Sequence, residues 1–209
     1  MSSVPTSSET DEAGQGFVKA RVWDMPTRVF HWLLVLSVCA GWLIGENLSF
    51  SNIQWHFYLG YLTIGLLVFR LFWGFAGPAS ARFSGLFHSP GDIVRYLRGI
   101  GKRQPSGIAG HNPVGALSVL AMLCALVVQV ATGLFAESDD LFSSGPLAGY
   151  VDSRFVQTAN AVHEITSKVL LALIAAHLAA LLYYWIWKRE NLIGAMLTGM
   201  KWIRKDGAV

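Results

Sequence analysis

Apolar residues along this chain gather into four long runs separated by polar stretches. WLLVLSVCAGWLIG covers 32–45, with Val29 and Phe30 ahead of it and Leu48 and Phe50 behind it. HFYLGYLTIGLLVFRLFWGFAG covers 56–77, and PVGALSVLAMLCALVVQVATGLFA covers 113–136 without a single charge. VLLALIAAHLAALLYYWIW covers 169–187 and extends back toward His163. Roughly 20 mostly apolar residues suffice for a helix to cross a bilayer. Three runs reach that length, and the first reaches it with its flanks. A soluble bundle would need a polar stripe on every helix, and the third run has none. The pattern therefore predicts an all-α integral membrane four-helix bundle, with helices near 26–46, 55–75, 112–136 and 160–188.

Local signals support these starts. Pro26 suits the first turn of the first helix, and Asn112 followed by Pro113 reads as a cap and first position for the third. Between them, SPGDIVRYLRGI predicts a short interfacial helix that turns Arg95 and Arg98 toward headgroups. The bundle domain spans 21–202, with a long loop at 76–111 and another at 137–159. Residues 1–20 read as a polar, disordered N-tail with no secretory signal pattern, and 203–209 as a C-tail.

Composition agrees: 53% of the 209 residues are hydrophobic and 14% charged, where soluble domains carry about 25% charged residues. Charge adds an orientation. Lys19, Arg21, Arg28, Arg82, Arg95, Arg98, Lys102, Arg103, Lys188, Arg189, Lys201, Arg204 and Lys205 all fall on one side of the four spans. The opposite side holds Arg154 alone. The positive-inside rule then puts both termini and the 76–111 loop in the cytoplasm and the 137–159 loop on the opposite side of the membrane. The basic residues flank spans instead of lining a groove, which excludes a nucleic-acid partner. Cys39 and Cys124 sit inside spans and read as small buried apolar residues, and no C-x-x-C-H is present for covalent haem attachment.

The candidate chemistry lies in the histidines. His31 begins the first span, His56 the second, and His163 and His177 share the fourth. Fourteen residues separate the last two, about 21 Å of helix rise and within about 40° of four full turns. They share a face at opposite depths of a hydrocarbon core about 30 Å thick. By depth, His163 matches His56 near the outer face, and His177 matches His31 near the inner. Two stacked imidazole pairs are what two six-coordinate haems in a bundle core require. A lone membrane histidine is as often a packing residue or proton relay, but four sorting into depth-matched pairs argue for ligands. Zinc lacks a nearby cysteine or carboxylate cluster, since Glu164 points about 100° from His163. His111, just before the third span, competes with His31 for the inner iron; His88 sits in a polar loop.

Two cations lie at the same depths. Arg70 falls level with His177 and Lys168 near His163, and each either pairs with a haem propionate or snorkels to the headgroups. Gly41, Gly60 and Gly65 leave room for flat macrocycles or for helix packing. Asp24, Glu46 and Glu164 are weak candidates for proton handling. The outer acidic residues Glu137, Asp139, Asp140 and Asp152 form either a solvated loop or a surface that steers a basic partner.

Several motifs occur in order: VWDMPTRVFHW, WHFYLGY, FRLFWGFAGP, GHNPVGALSVL, ATGLFA, and HE followed by the second histidine of the fourth span. Over Trp23 to about Trp202 the chain resembles the bacterial cytochrome b561 family, which is related to the b-type cytochrome subunit of nickel–iron hydrogenases. The resemblance implies four transmembrane helices and two b haems, with His31, His56, His163 and His177 as iron ligands. It also implies electron exchange between membrane quinone and a redox partner on a separate polypeptide. The main expectation is transfer to or from a periplasmic c-type cytochrome. The alternative is the membrane-anchor cytochrome of a hydrogenase or other dehydrogenase complex. A haem-free scaffold or transporter is the rival of another class, and a homodimer is compatible with any of them.

Overall fold

The computed structural model describes residues 16–138 and 143–205. It is mostly helical and contains four helices long and apolar enough to cross a membrane: α1 (Met25–Gly45), α2 (Ile53–Ala76), α4 (Pro113–Gly133) and α5 (Ser153–Ile186). Between α2 and α4 lies α3 (Pro90–Arg98), the predicted interfacial helix, and after α5 comes α6 (Leu192–Thr198). The expectation of an all-α chain needs one correction, because two short antiparallel ladders are present. β1 (Phe17–Arg21) pairs with β4 (Met200–Arg204), and β2 (Glu137–Ser138) pairs with β3 (Ser143–Ser144).

Side chains at the helix starts explain the boundaries. The Oδ1 of Asn112 accepts from the amide of Gly115 at 2.8 Å, with Pro113 opening α4. Ser89 and Asp92 form a reciprocal capping box on α3. Asp152 accepts from the amide of Phe155 and starts α5 at Ser153, earlier than the predicted 160 because the apolar run begins well inside the helix. At 34 residues, α5 is about 51 Å long, more than a hydrocarbon core requires. Asp24 does not cap α1; its Oδ2 accepts from Trp73 Nε1 at 3.0 Å and ties the start of α1 to the end of α2.

The tails also need correction. Residues 17–20, expected in a disordered N-tail, form β1, and the strand β4 runs into the expected C-tail. Val22, Trp23, Ala195 and Ile203 form a small core with Val18, Ala20 and Met196 packed against it. Gly199 makes the turn into β4 with φ of 82°, and a Cβ there would stand 2.5 Å from the carbonyl oxygen of Trp23. Residues 1–15 and 206–209, and the loop acids Asp139 and Asp140, lie outside the described residues.

A buried ion pair locks this end. Lys201 Nζ lies 2.9 Å from Glu190 Oε1, with both side chains 7% exposed. Ser106 donates to Glu190 from its amide and hydroxyl, and Lys201 donates to the carbonyl of Ile108. The loop before α4, the segment after α5 and β4 thus form one network. Below this sheet end, α1 packs along α2 and α4 along α5, while α2 and α4 touch more sparsely. Ser37 and Thr63 join the first pair by a 2.8 Å hydroxyl contact in mid-helix. Large apolar side chains such as Leu36, Phe72, Phe75 and Ile186 face outward, as lipid contact demands. Cys39 and Cys124, expected to be buried, are free and on outward faces.

Candidate functional site

At the hairpin end, near β2 and β3, the second and fourth spans bring two imidazoles together. The rings of His56 and His163 have centroids 6.2 Å apart at an interplanar angle of 75°. They border a cavity of about 380 Å³ between the helix pairs. Its wall includes Gly41 and Gly60 along with Ser37, Thr63 and Leu126. A Cβ on Gly60 would meet nothing within 4 Å, and one on Gly41 only Leu59 Cβ at 4.0 Å. Gly65 is exposed and borders open space as well, outside the cavity wall.

Each imidazole hangs from a neighbouring helix. His56 Nδ1 lies 3.1 Å from the carbonyl oxygen of Gly41 on α1. His163 Nδ1 lies 2.9 Å from the carbonyl oxygen of Gln129 on α4. A carbonyl only accepts, so each Nδ1 carries the proton and each Nε2 keeps a bare lone pair. For His163 that lone pair accepts from the side-chain amide of Gln129 at 3.0 Å. Thr132 Oγ1 adds a 3.3 Å contact to Nδ1.

His31, early in α1, and His177, late in α5, lie toward the sheet end. The Nδ1 of His31 is buried with no hydrogen-bond partner. Arg70 is also here, 7% exposed, with its guanidinium 4.7 Å from the centroid of Phe83 and Nη1 buried and unpartnered. It makes no ion pair with the described residues. His111 packs on Trp23 at 4.8 Å. Burial, then the nearby positive charges of Arg70 and Lys201, push its pKa down from 6.5 to about 4. His88 contacts the carbonyl of Leu86 in the loop.

Lys168 is placed differently from Arg70. It is on an exposed face of α5, its Nζ 2.6 Å from Glu164 Oε1, and Glu164 borders the cavity. Among the described residues no group of three or more His, Cys, Asp or Glu side chains is arranged to hold a metal ion. Sequence reasoning found the four histidines but missed Gln129, Thr132, Gly45 and Gly133. Only the packing of α1 on α2 and α4 on α5 brings these residues to the rings.

The chain matches the family model for prokaryotic cytochrome b561 over residues 22–199. It belongs to the prokaryotic cytochrome b561 family. Curated relatives include the probable Ni/Fe-hydrogenase B-type cytochrome subunits of Azotobacter vinelandii, Rhizobium leguminosarum bv. viciae and Escherichia coli K12. The first is 29% identical, covering 93% of this chain and 96% of its own. The second is 26% identical, with 85% and 87% covered. The third is 22% identical, with 86% and 89% covered. The protein is therefore a multi-pass membrane cytochrome of the b type, and the family implies haem b.

The cytochrome b561 site fits that group. A metal–imidazole bond is about 2 Å long, so an iron between two ring nitrogens sets the centroids about 6 Å apart. The His56–His163 separation is 6.2 Å. Ligating histidines commonly donate their second N–H to a backbone carbonyl, and both rings do so. Buried polar atoms call for a partner, and the Nδ1 of His31 and the Nη1 of Arg70 have none within the protein.

Proposed function

We propose that this cytochrome b561 protein is the membrane-anchor subunit of a nickel–iron hydrogenase or a closely similar dehydrogenase, passing electrons between that partner and membrane quinone. The observation that carries this reading is similarity, across nearly the full length of both chains, to relatives named as hydrogenase cytochrome subunits. It displaces the main expectation of a periplasmic c-type cytochrome as partner, for which no feature of the site speaks.

Two haem b groups serve the transfer, one held by His56 and His163 and the other by His31 and His177. Bound haem supplies one-electron chemistry. The chain's own residues hold and insulate it. Gly41 and Gly60 leave flat space, Arg70 offers a buried cation to a propionate, and the Nδ1 contacts fix the tautomer of the hairpin-end ligands. Lys168, already held by Glu164, is left to the headgroup region. The excess of basic residues at the sheet end supports an orientation with that end in the cytoplasm of a bacterial inner membrane.

A reduced-minus-oxidised spectrum with haem quantification on the purified protein tests the cofactor, and two b haems per chain are expected. His177→Ala should lose one haem and keep the other; loss of neither would sink the pairing. Co-purification from a native membrane tests the partner: hydrogenase subunits are expected, and a c-type cytochrome in their place would restore the displaced reading.

A further inference from the structure

The two hairpin-end imidazoles are held by the same local device, built twice. His56 reaches the carbonyl of Gly41 on α1, and four residues later α1 has Gly45. His163 reaches the carbonyl of Gln129 on α4, and four residues later α4 has Gly133. In an α-helix the side chain at i+4 stands over the carbonyl of residue i. Any Cβ there would crowd a ring that comes in to bond that carbonyl. At Gly45 an added Cβ would be 3.3 Å from Cε1 of His56. At Gly133 it would be 3.0 Å from Cε1 of His163. Each glycine is a notch in one helix that admits the imidazole of its neighbour.

We infer that Gly45 and Gly133 are positioning residues for the ligand pair His56 and His163. By opening two helix carbonyls to the Nδ1 protons, they set the tautomer that puts the ring's lone pair, the one a metal takes, on Nε2. The hydrogen bond also makes the bound imidazole a stronger donor, because the carbonyl draws on its N–H proton. A stronger donor favours ferric iron and lowers the midpoint potential. The sheet-end pair lacks this arrangement, since His31 Nδ1 has no partner. The inference rests on the haem reading above for its effect on potential, but its claim about tautomers does not.

Gly133→Ala and Gly45→Ala test it, with Gly65→Ala as control, because Gly65 is an exposed span glycine whose Cβ would meet nothing within 4 Å. In a potentiometric titration of the full-length protein, Gly133→Ala should raise the midpoint of one haem component and leave the other in place. Gly45→Ala should raise the same component by less, and Gly65→Ala should move neither. Nitrogen-15 spectra of histidine-labelled protein prepared without haem should show Nδ1–H tautomers for His56 and His163. Gly133→Ala should lose that signature at His163. Unmoved potentials, equal movement of both haems, or the same shift in Gly65→Ala would overturn the inference. Should Gly133→Ala fail to accumulate, Gly45→Ala decides. Wild-type protein without haem would defeat the proposed function, and the nitrogen spectra would still judge the notches.

Discussion

At the scale of single residues, charge without a partner carries the most information. Arg70 is the buried charged residue described within a spanning helix, and its Nη1 has no acceptor. A buried cation with no counter-charge costs several kcal/mol, so an anion belongs beside it. On the proposed function a haem propionate would supply one. Arg70→Met should then lower the midpoint of one haem, since removing a positive charge disfavours the reduced iron, and Arg70→Lys should recover part of the shift. No shift in either variant would leave Arg70 as a packing residue. His111 gives a second expectation, through pH. Its pKa is held at about 4 in the folded protein against an ordinary 6.5, so the unfolded chain binds the proton more readily. The stability it contributes is complete above pH 6.5 and is lost as pH falls toward 4. The full effect is at most about 3 kcal/mol. Thermal midpoints in detergent across that window should fall steeply for the wild type and less steeply for His111→Phe.

At the scale of elements, the sheet end behaves as one cooperative clamp. β1 and β4 pair in register from Phe17 with Arg204 to Arg21 with Met200. Their packing residues and the Lys201–Glu190 pair join segments far apart in the chain. Breaking one half of such a buried pair strands the other charge and costs about 3–5 kcal/mol. Glu190→Ala should therefore lower the thermal midpoint of the purified protein sharply. Adding Lys201→Met to it should restore part of the loss; a double variant no better than the single would show that the pair is not energetically coupled. The lone helix α3 joins the same end by a hydroxyl contact between Tyr96 and Tyr184, and Tyr183 donates to the carbonyl of Ile100 at 2.7 Å. The amphipathic helix is thereby held against α5 instead of drifting in the headgroup layer.

At the scale of the whole molecule, two helix pairs stand apart enough to leave a cavity and close enough to oppose their histidines. α5 contributes to both sites without a break from Ser153 to Ile186. Its two histidines stand about 21 Å apart along the axis on one unbroken helix, so the proposed haems would be held at a spacing that no loop interrupts.

The four spans, their order and the four histidines were legible in the chain, because hydrophobic length and helical rise are properties of local sequence. Asp24 and Asp152 show where that legibility stops. Asp24 occupies a cap position yet accepts from Trp73 Nε1 on α2, and Asp152 starts α5 in a polar stretch that no apolar run marks. The ladder of β1 with β4 was hidden because each strand is short and finds its partner some 180 residues away. Gly45 and Gly133 were invisible as functional positions for the same reason. A glycine in a helix becomes a notch only when a neighbouring helix aims an imidazole at it, and only tertiary packing decides that. Sequence alone determined which histidines fall within the spans and how far apart along the helix their levels lie. The folded structure decided that His56 and His163 face each other, that each turns its Nδ1 to a helix carbonyl, and that Arg70, not Lys168, is buried.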